Sequence, residues 1–335
     1  MTAALACARA HIGDVSWHPV GSDTVPPVSE LPPNATRVLY ALGLKEPLLD
    51  NAYAPLSTML RTTTGYLIAN RPLGPFVNDR YGSSHLFIAT DVLCALLSRA
   101  MADLGIRMQS PGDTDAPGAD LVIIATDARS PLRTQITGDS VTKDSPWQFA
   151  WARSARNLPL PIDWLGESCY ARQLPAGNRT DTLLIVRATP PPERLRELCA
   201  GDTELHWART PLDPGNLAWH QGNHVFIGDA AHPLLPFSPQ ALALAIEDAW
   251  VLVRMLDQHG EAFADAFMEY EHYRRPRARA MQQRAEQIAA RCAERHPLAR
   301  FGDRLKESLG FRLLPEIAMQ QDDWQFEYDC VRGFD

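Results

Sequence analysis

The segment HVFIGDAAHPLLPFSPQALALAIEDA, residues 224–249, gathers the residue types in this chain best able to do chemistry. Its apolar start predicts a short buried strand that ends at Gly228 and Asp229, and a helix is expected from near Pro239 to residue 257. This spacing sets the Asp229 carboxylate at the C-terminal end of a strand, where α/β sheets hold ligands. The first turn of the next helix has backbone N–H groups without partners, and its positive dipole end faces whatever lies over the turn. Together they suit an anionic or electron-rich group.

Spacing alone also allows a plainer role, in which Asp229 caps a turn and His232 packs. A hydrolase built on Asp229, His232 and Ser238 lacks the G-x-S-x-G elbow that would expose the serine. Asp229 and His232 have too few partners in sequence for a metal site. The segment thus assigns no catalytic side chain and no metal ligand.

The wider composition narrows the function classes. A chain of 335 residues with 45% hydrophobic content can bury a large core, and a net charge of -8 argues against a nucleic-acid partner. One dense basic run, YRRPRARAMQQRAEQ, is expected to cover the exposed side of a helix. The six cysteines are scattered with no C-x-x-C pair, which predicts reduced thiols and a cytoplasmic protein. No run of about 18 apolar residues predicts a membrane span. In the opening MTAALACARAHIGD, Arg9 follows the apolar run, the reverse of a signal peptide.

The elements that must position the motif can be traced along the chain. A helix is expected over 2–11, with Gly13 as its C-terminal cap, then a short strand at DVSW. A second helix, 32–44, is entered through Pro33 and Asn34 and closed by Gly43, and 91–106 is amphipathic with Asp91 near its start. DLVIIATD, 120–127, is continuous in apolar residues, as a parallel strand buried on both faces would be. Between 140 and 210 short β-like runs such as QFAWAR and DTLLIVRA alternate with Pro- and Gly-bearing turns, with PPPERLRELCA as a helix among them. Long helices are expected over 239–257 and 260–294, followed by an irregular tail.

The segment VFIGDAAHPLLPFSPQALALAIEDAWVLVRML resembles the second flavin-binding motif of the class A FAD-dependent aromatic hydroxylases, which include salicylate and p-hydroxybenzoate hydroxylases. Gly228, Asp229, Ala230, Ala231, His232, Pro233, Pro236, Phe237, Gln240, Glu247 and Asp248 match that family's pattern. LPPNATRVLYALGL, RYGSSHLFIATDVLCALL, ADLVIIATDARSPLR, YEHYRRPRARAMQQ and DDWQFEYD are similar to further family segments, so the likeness runs from about residue 3 to 330.

The resemblance implies an α/β fold: a Rossmann-like FAD-binding domain of p-hydroxybenzoate hydroxylase type, an inserted β-rich substrate domain and a helical C-terminal region. The expected division is 1–139 and 216–260 for the FAD-binding domain, 140–215 for the substrate domain and 261–335 for the helical region. The implied activity is NAD(P)H-dependent hydroxylation of a small aromatic substrate with O₂, through a flavin hydroperoxide. Within it Asp229 would bond the ribityl-phosphate region, Gly228 would form the turn and Pro233 would shape the wall over the flavin ring. Backbone N–H groups from Gln240, Ala241 and Leu242 would face the flavin N1–C2=O edge. Trp164 and Tyr170 are expected to be core residues, and Glu247 and Asp248 to be structural.

Four positions depart from the family pattern, all at flavin contacts. The first strand and G-x-G-x-x-G loop are expected to be missing, with Ser16, Trp17, His18 and Pro19 where a ribose-binding acid belongs. Ala89 stands for an arginine, Thr126-Asp127 for Asp-Gly, with Asp127 a candidate substitute, and Gln240-Ala241 for Gln-Gly. The alternative they leave open is a non-catalytic or FAD-deficient relative acting as a binding or scaffold protein.

Overall fold

The computed structural model describes all residues except 20–25, 110–117, 155–157, 177–178, 187–192, 194–204, 238, 294–296 and 334–335. The helix expected at PPPERLRELCA falls almost wholly outside the described residues, as does Ser238.

Short parallel pairings bring distant parts of the chain together. Ser16–Trp17 pairs with Arg107–Met108, and Val122–Ile124 with His224–Phe226, which His220–Gln221 flanks as an antiparallel neighbour. Around these pairings Leu5, Val38, Leu39, Leu97, Phe226, Ile246, Leu252 and Phe267 form one apolar core, each at most 6% exposed. The helix Thr2–Arg9 ends earlier than expected. Its left-handed closing residue is His11 at φ 56°, with Ile12 N–H donating to Cys7 O at 3.0 Å, so Gly13 lies beyond the cap. Pro33–Ala41 closes as its sequence predicts: Gly43 takes φ +79° and Leu44 N–H reaches Leu39 O at 3.0 Å.

A seven-stranded sheet forms the second layer, in the order 206–211, 144–154, 179–186, 169–176, 162–165, 57–62 and 67–72. Strand Ser57–Thr62 joins the middle segment by a parallel pairing with Ile162–Leu165, so the sheet also draws on residues well before 140.

The C-terminal tail is helical, not irregular: Pro297–Leu313 and Pro315–Phe326 follow the long helix Phe263–Ala293. Pro315 lies in the first turn of the last helix, where its missing N–H costs nothing, and Phe311 and Met319 bury against strand Leu67–Pro72 and its neighbours. Tertiary burial thus supports helices that the tail's own polar sequence signals only weakly. No helix among the described residues is long and apolar enough to cross a membrane.

The basic run on the long helix is only partly exposed, which corrects its expected solvated face. Arg274 is fully buried and Arg277 nearly so, on one stripe with Tyr270, Ala278 and Met281, whereas Arg279 faces solvent.

Candidate functional site

Strands Val122–Ile124 and His224–Phe226 run side by side, and the chain leaves their C-terminal ends at Asp127 and Asp229. Ile227 N–H donates to Ile124 O at 3.0 Å, the last rung before the turn. Gly228 has φ +59°, and a Cβ there would sit 2.9 Å from the Ala245 Cβ. Both the left-handed backbone and the close crossing of helix Gln240–His259 therefore require glycine. The Gly228 carbonyl accepts the N–H groups of Ala231 and His232 at 2.9 Å each, which closes the turn.

A buried ionic lattice holds this turn against two helices. Asp248 Oδ2 accepts the Gly228 N–H at 3.0 Å and meets His232 Nε2 at 2.5 Å, while Asp248 Oδ1 accepts Arg274 Nε–H at 2.7 Å. Glu247 binds Arg274 at 2.8 Å and Arg277 at 2.7 Å, and Asn34 Nδ2 donates to it at 2.6 Å. Burial alone would raise both carboxyls, but His232 and Arg274 hold Asp248, and Arg274 and Arg277 hold Glu247, below the usual carboxylate range. Glu247 and Asp248 thus have the structural role expected of them, and His232 is an orienting partner of Asp248.

Asp229 differs from all of these. Its side chain is exposed and makes no hydrogen bond or ion pair with the described residues. Protein packed around its cleft raises its carboxyl, the nearby Asp127 adds to that, and His232 opposes it. Asp127 is exposed as well, with Oδ1 accepting the Arg129 N–H at 2.8 Å as a turn cap.

The other expected site residues follow the turn closely in the chain. Pro233 is buried, Ala241 is half-buried and Leu242 lies at the surface. The Gln240 side chain points inward, where its Oε1 accepts from Asn34 at 2.9 Å. Ala89 closes strand Leu86–Ala89 as the N-cap of Thr90–Asp103 and is buried.

Beyond Phe237 and Pro239 lies a cavity of about 170 Å³, between the seven-stranded sheet and the C-terminal helices. Leu60, Leu73, Phe237 and Phe311 form its apolar side. Trp147 packs edge-on against Phe237 with centroids 4.8 Å apart, fixing that ring. Tyr170 lines the cavity, while Trp164 sits in a separate core cluster and donates to Gln173 Oε1 at 2.9 Å.

The polar wall is a group that spacing did not reveal. Glu30 and His85 meet at 2.8 Å, Arg172 bridges Glu30 at 2.6 Å and Asp163 at 2.9 Å, and all four side chains are buried. Burial would raise the Glu30 carboxyl, yet Arg172 and then His85 hold it at about 2. The four residues come from separate elements, so their only sequence signal is the presence of charge inside apolar runs such as VSEL and HLFIA.

Comparison with known proteins agrees with this architecture. Residues 214–285 match the family model described as FAD binding domain. The chain is 30% identical over 308 residues to 3-amino-4-hydroxybenzoate 2-monooxygenase of Streptomyces cremeus, covering 78% of this chain and 76% of that protein. It is 26% identical over 302 residues to 6-hydroxynicotinate 3-monooxygenase of Pseudomonas fluorescens, covering 75% and 78%. Among solved structures, FqzB superposes with a TM-score of 0.76 at 19% identity over 98% of this chain and 89% of its own. Klebsiella pneumoniae HpxO, complexed with FAD and uric acid, does so with 0.73 at 18% over 95% and 92%. With the Gly-Asp turn and its motif helix in place and this likeness to curated relatives, the chain belongs to the class A FAD-dependent aromatic monooxygenases.

Proposed function

We propose that this chain is an NAD(P)H-using monooxygenase that inserts one oxygen atom of O₂ into a small aromatic ring held in the 170 Å³ cavity. The observation that carries this reading is that Phe237 and Pro239 line the cavity, while Gly228 and Asp229 precede them and helix Gln240–His259 follows them in the same stretch of chain. One continuous segment thus carries the Gly-Asp turn and borders the cavity. The volume is close to the roughly 150 Å³ that accepts a benzene ring, so a single ring fits.

The residues present suit FAD. The Asp229 carboxylate, exposed and without a protein partner, would accept hydroxyl donors of the ribityl chain, and Asp127 stands beside it. Gly228 shapes the turn, and Pro233 would contribute to the wall over the ring. Backbone N–H groups of Gln240, Ala241 and Leu242, at the helix start, would stabilise negative charge on the flavin edge. When bound, the cofactor supplies the activation of O₂, and the protein supplies position and exclusion of water. A cytoplasmic location, where NAD(P)H is at hand, goes with this reading.

The test is to purify the full chain, record its flavin absorption and follow NAD(P)H oxidation with small hydroxylated aromatic acids, identifying products by mass. Bound or acquired FAD with a product one oxygen heavier is expected. A colourless protein that takes up no added FAD would sink the reading.

A further inference from the structure

The two C-terminal helices carry apolar side chains that the rest of the protein does not cover. We propose that the outer face of this pair, Pro297–Leu313 and Pro315–Phe326, docks on an anionic lipid surface and makes the protein a peripheral membrane binder. The inference goes beyond the monooxygenase reading and does not depend on a bound cofactor.

The pair is apolar on two sides. On the inner side Phe311 and Met319 are buried against strand Leu67–Pro72 and its neighbours, and Gln325 is buried beside the cavity. These side chains hold the helices to the body. On the outer side Leu305, Leu309, Leu313, Leu314, Ile317 and Trp324 are all exposed, between 39% and 67%. They have no part in that packing.

Their spacing makes them a face. Leu305, Leu309 and Leu313 follow i, i+4 spacing, so they form one stripe along the helix. Phe311 stands roughly 160° around the helix from both Leu309 and Leu313, so the stripe points away from the body. Leu314 continues the stripe at the joint, and Ile317 and Trp324 lie roughly two turns apart on one side of the last helix. Single surface leucines need no explanation, but a run of this kind on one unit marks a site of interaction.

The charges around the stripe select the partner. Lys306 and Arg312 are exposed and make no hydrogen bond or ion pair with the described residues. Around the helix Lys306 falls just outside Leu313 and Arg312 just outside Leu305, so a cation edges the stripe on either side. The segment PLARFGDRLKESLGFRL holds four cations and two anions in a chain of net charge -8. On the last helix Glu316 is exposed at the joint, while Asp322 and Asp323 are engaged by Arg284 and Arg80.

An apolar stripe edged by free cations suits a helix lying in a lipid headgroup layer, with leucines at the acyl boundary and cations on anionic headgroups. Trp324 suits the same boundary. Its indole N–H donates to Gln321 O at 3.1 Å, so the ring can enter an apolar layer without an unsatisfied donor. A second copy of the chain fits the face less well. Antiparallel self-packing centred on Leu309 would set Lys306 opposite the copy's Arg312, and like charges oppose that contact.

The test is co-flotation of the full chain with vesicles of phosphatidylglycerol and phosphatidylcholine in equal parts, against vesicles of phosphatidylcholine alone. The unaltered protein is expected to bind the first about tenfold or more tightly than the second, and added salt should release it. L309Q/L313Q should lose about tenfold or more in binding, because both leucines would no longer leave water. K306E/R312E should lose the preference for anionic vesicles, and R279E, on the solvent-facing side of the long helix, should bind as the unaltered protein does. Thermal unfolding midpoints matching the unaltered protein's report that the variants are folded. No flotation of the unaltered protein, equal flotation with both kinds of vesicle, or unchanged flotation in either double variant overturns the inference. So does a loss in R279E equal to that in K306E/R312E. A dimer of the unaltered chain, seen by light scattering, that L309Q/L313Q converts to monomer would also overturn it, because the face would then belong to a second copy.

Discussion

Asp248 and Arg274 meet at 2.7 Å with both side chains fully buried, and this pair ties the helix of the Gly-Asp motif to the long helix behind it. Because Asp248 also accepts the Gly228 N–H and holds His232, the Gly-Asp turn is anchored to the core through one carboxylate. Replacing Arg274 with Met leaves Asp248 without its cation in an apolar setting. A loss of about 3–5 kcal/mol is expected, read as the midpoint of denaturant unfolding. Adding D248N to R274M should recover part of that loss, and a double variant no more stable than R274M would refute the pairing as its cause.

Gly228→Ala meets two obstacles, a φ of +59° and a contact 2.9 Å from the Ala245 Cβ. The expected cost is about 1–3 kcal/mol together with weaker FAD retention. A245G in the same chain should relieve the steric part and leave the backbone part. Unfolding curves of the two single variants and the double variant separate the contributions.

Asp229→Ala should behave in the opposite way, since its carboxylate is exposed and makes no hydrogen bond or ion pair with the described residues. Thermal unfolding of the FAD-free protein is expected to change little. FAD affinity should fall roughly ten- to hundredfold, the value of hydrogen bonds to a charged group. Quenching of flavin fluorescence measures it, and equal affinity in the variant would remove Asp229 from the site.

Acid should destabilise the protein through Glu30. Its carboxyl is held at about 2 against an ordinary 4.5, so the unfolded chain binds the proton more readily. The stabilisation is complete above pH 4.5 and is lost as pH falls toward 2. The gap corresponds to roughly 3 kcal/mol at most. E30Q should flatten the stability profile in that window relative to the unaltered protein, and equal slopes for the two would contradict the assignment.

Much of the candidate site's backbone was legible because it lies in one continuous segment. Gly228, Asp229, Pro233 and the helix that starts at Gln240 follow one another in the chain, and their turn-forming and helix-starting chemistry is local. The burial of Arg274 was not legible, because a cation on an apolar stripe with Tyr270 and Met281 makes sense only when its carboxylate partners are known. The tail helices were not legible, because they depend on burial of Phe311 and Met319 against a strand some 240 residues earlier.

The amino-acid sequence by itself determined the family, the Gly-Asp turn and the helix that follows, because these rest on short-range backbone preferences and a contiguous motif. Only the tertiary structure decided which charges are buried and what lines the cavity. Glu30, His85, Asp163 and Arg172 come from four separate places in the chain, and their shared ion pairs, with the lowered Glu30 carboxyl, exist only once the fold brings them together. The physical reason is that desolvation and Coulomb energy depend on distance in space, which local spacing in the chain does not encode.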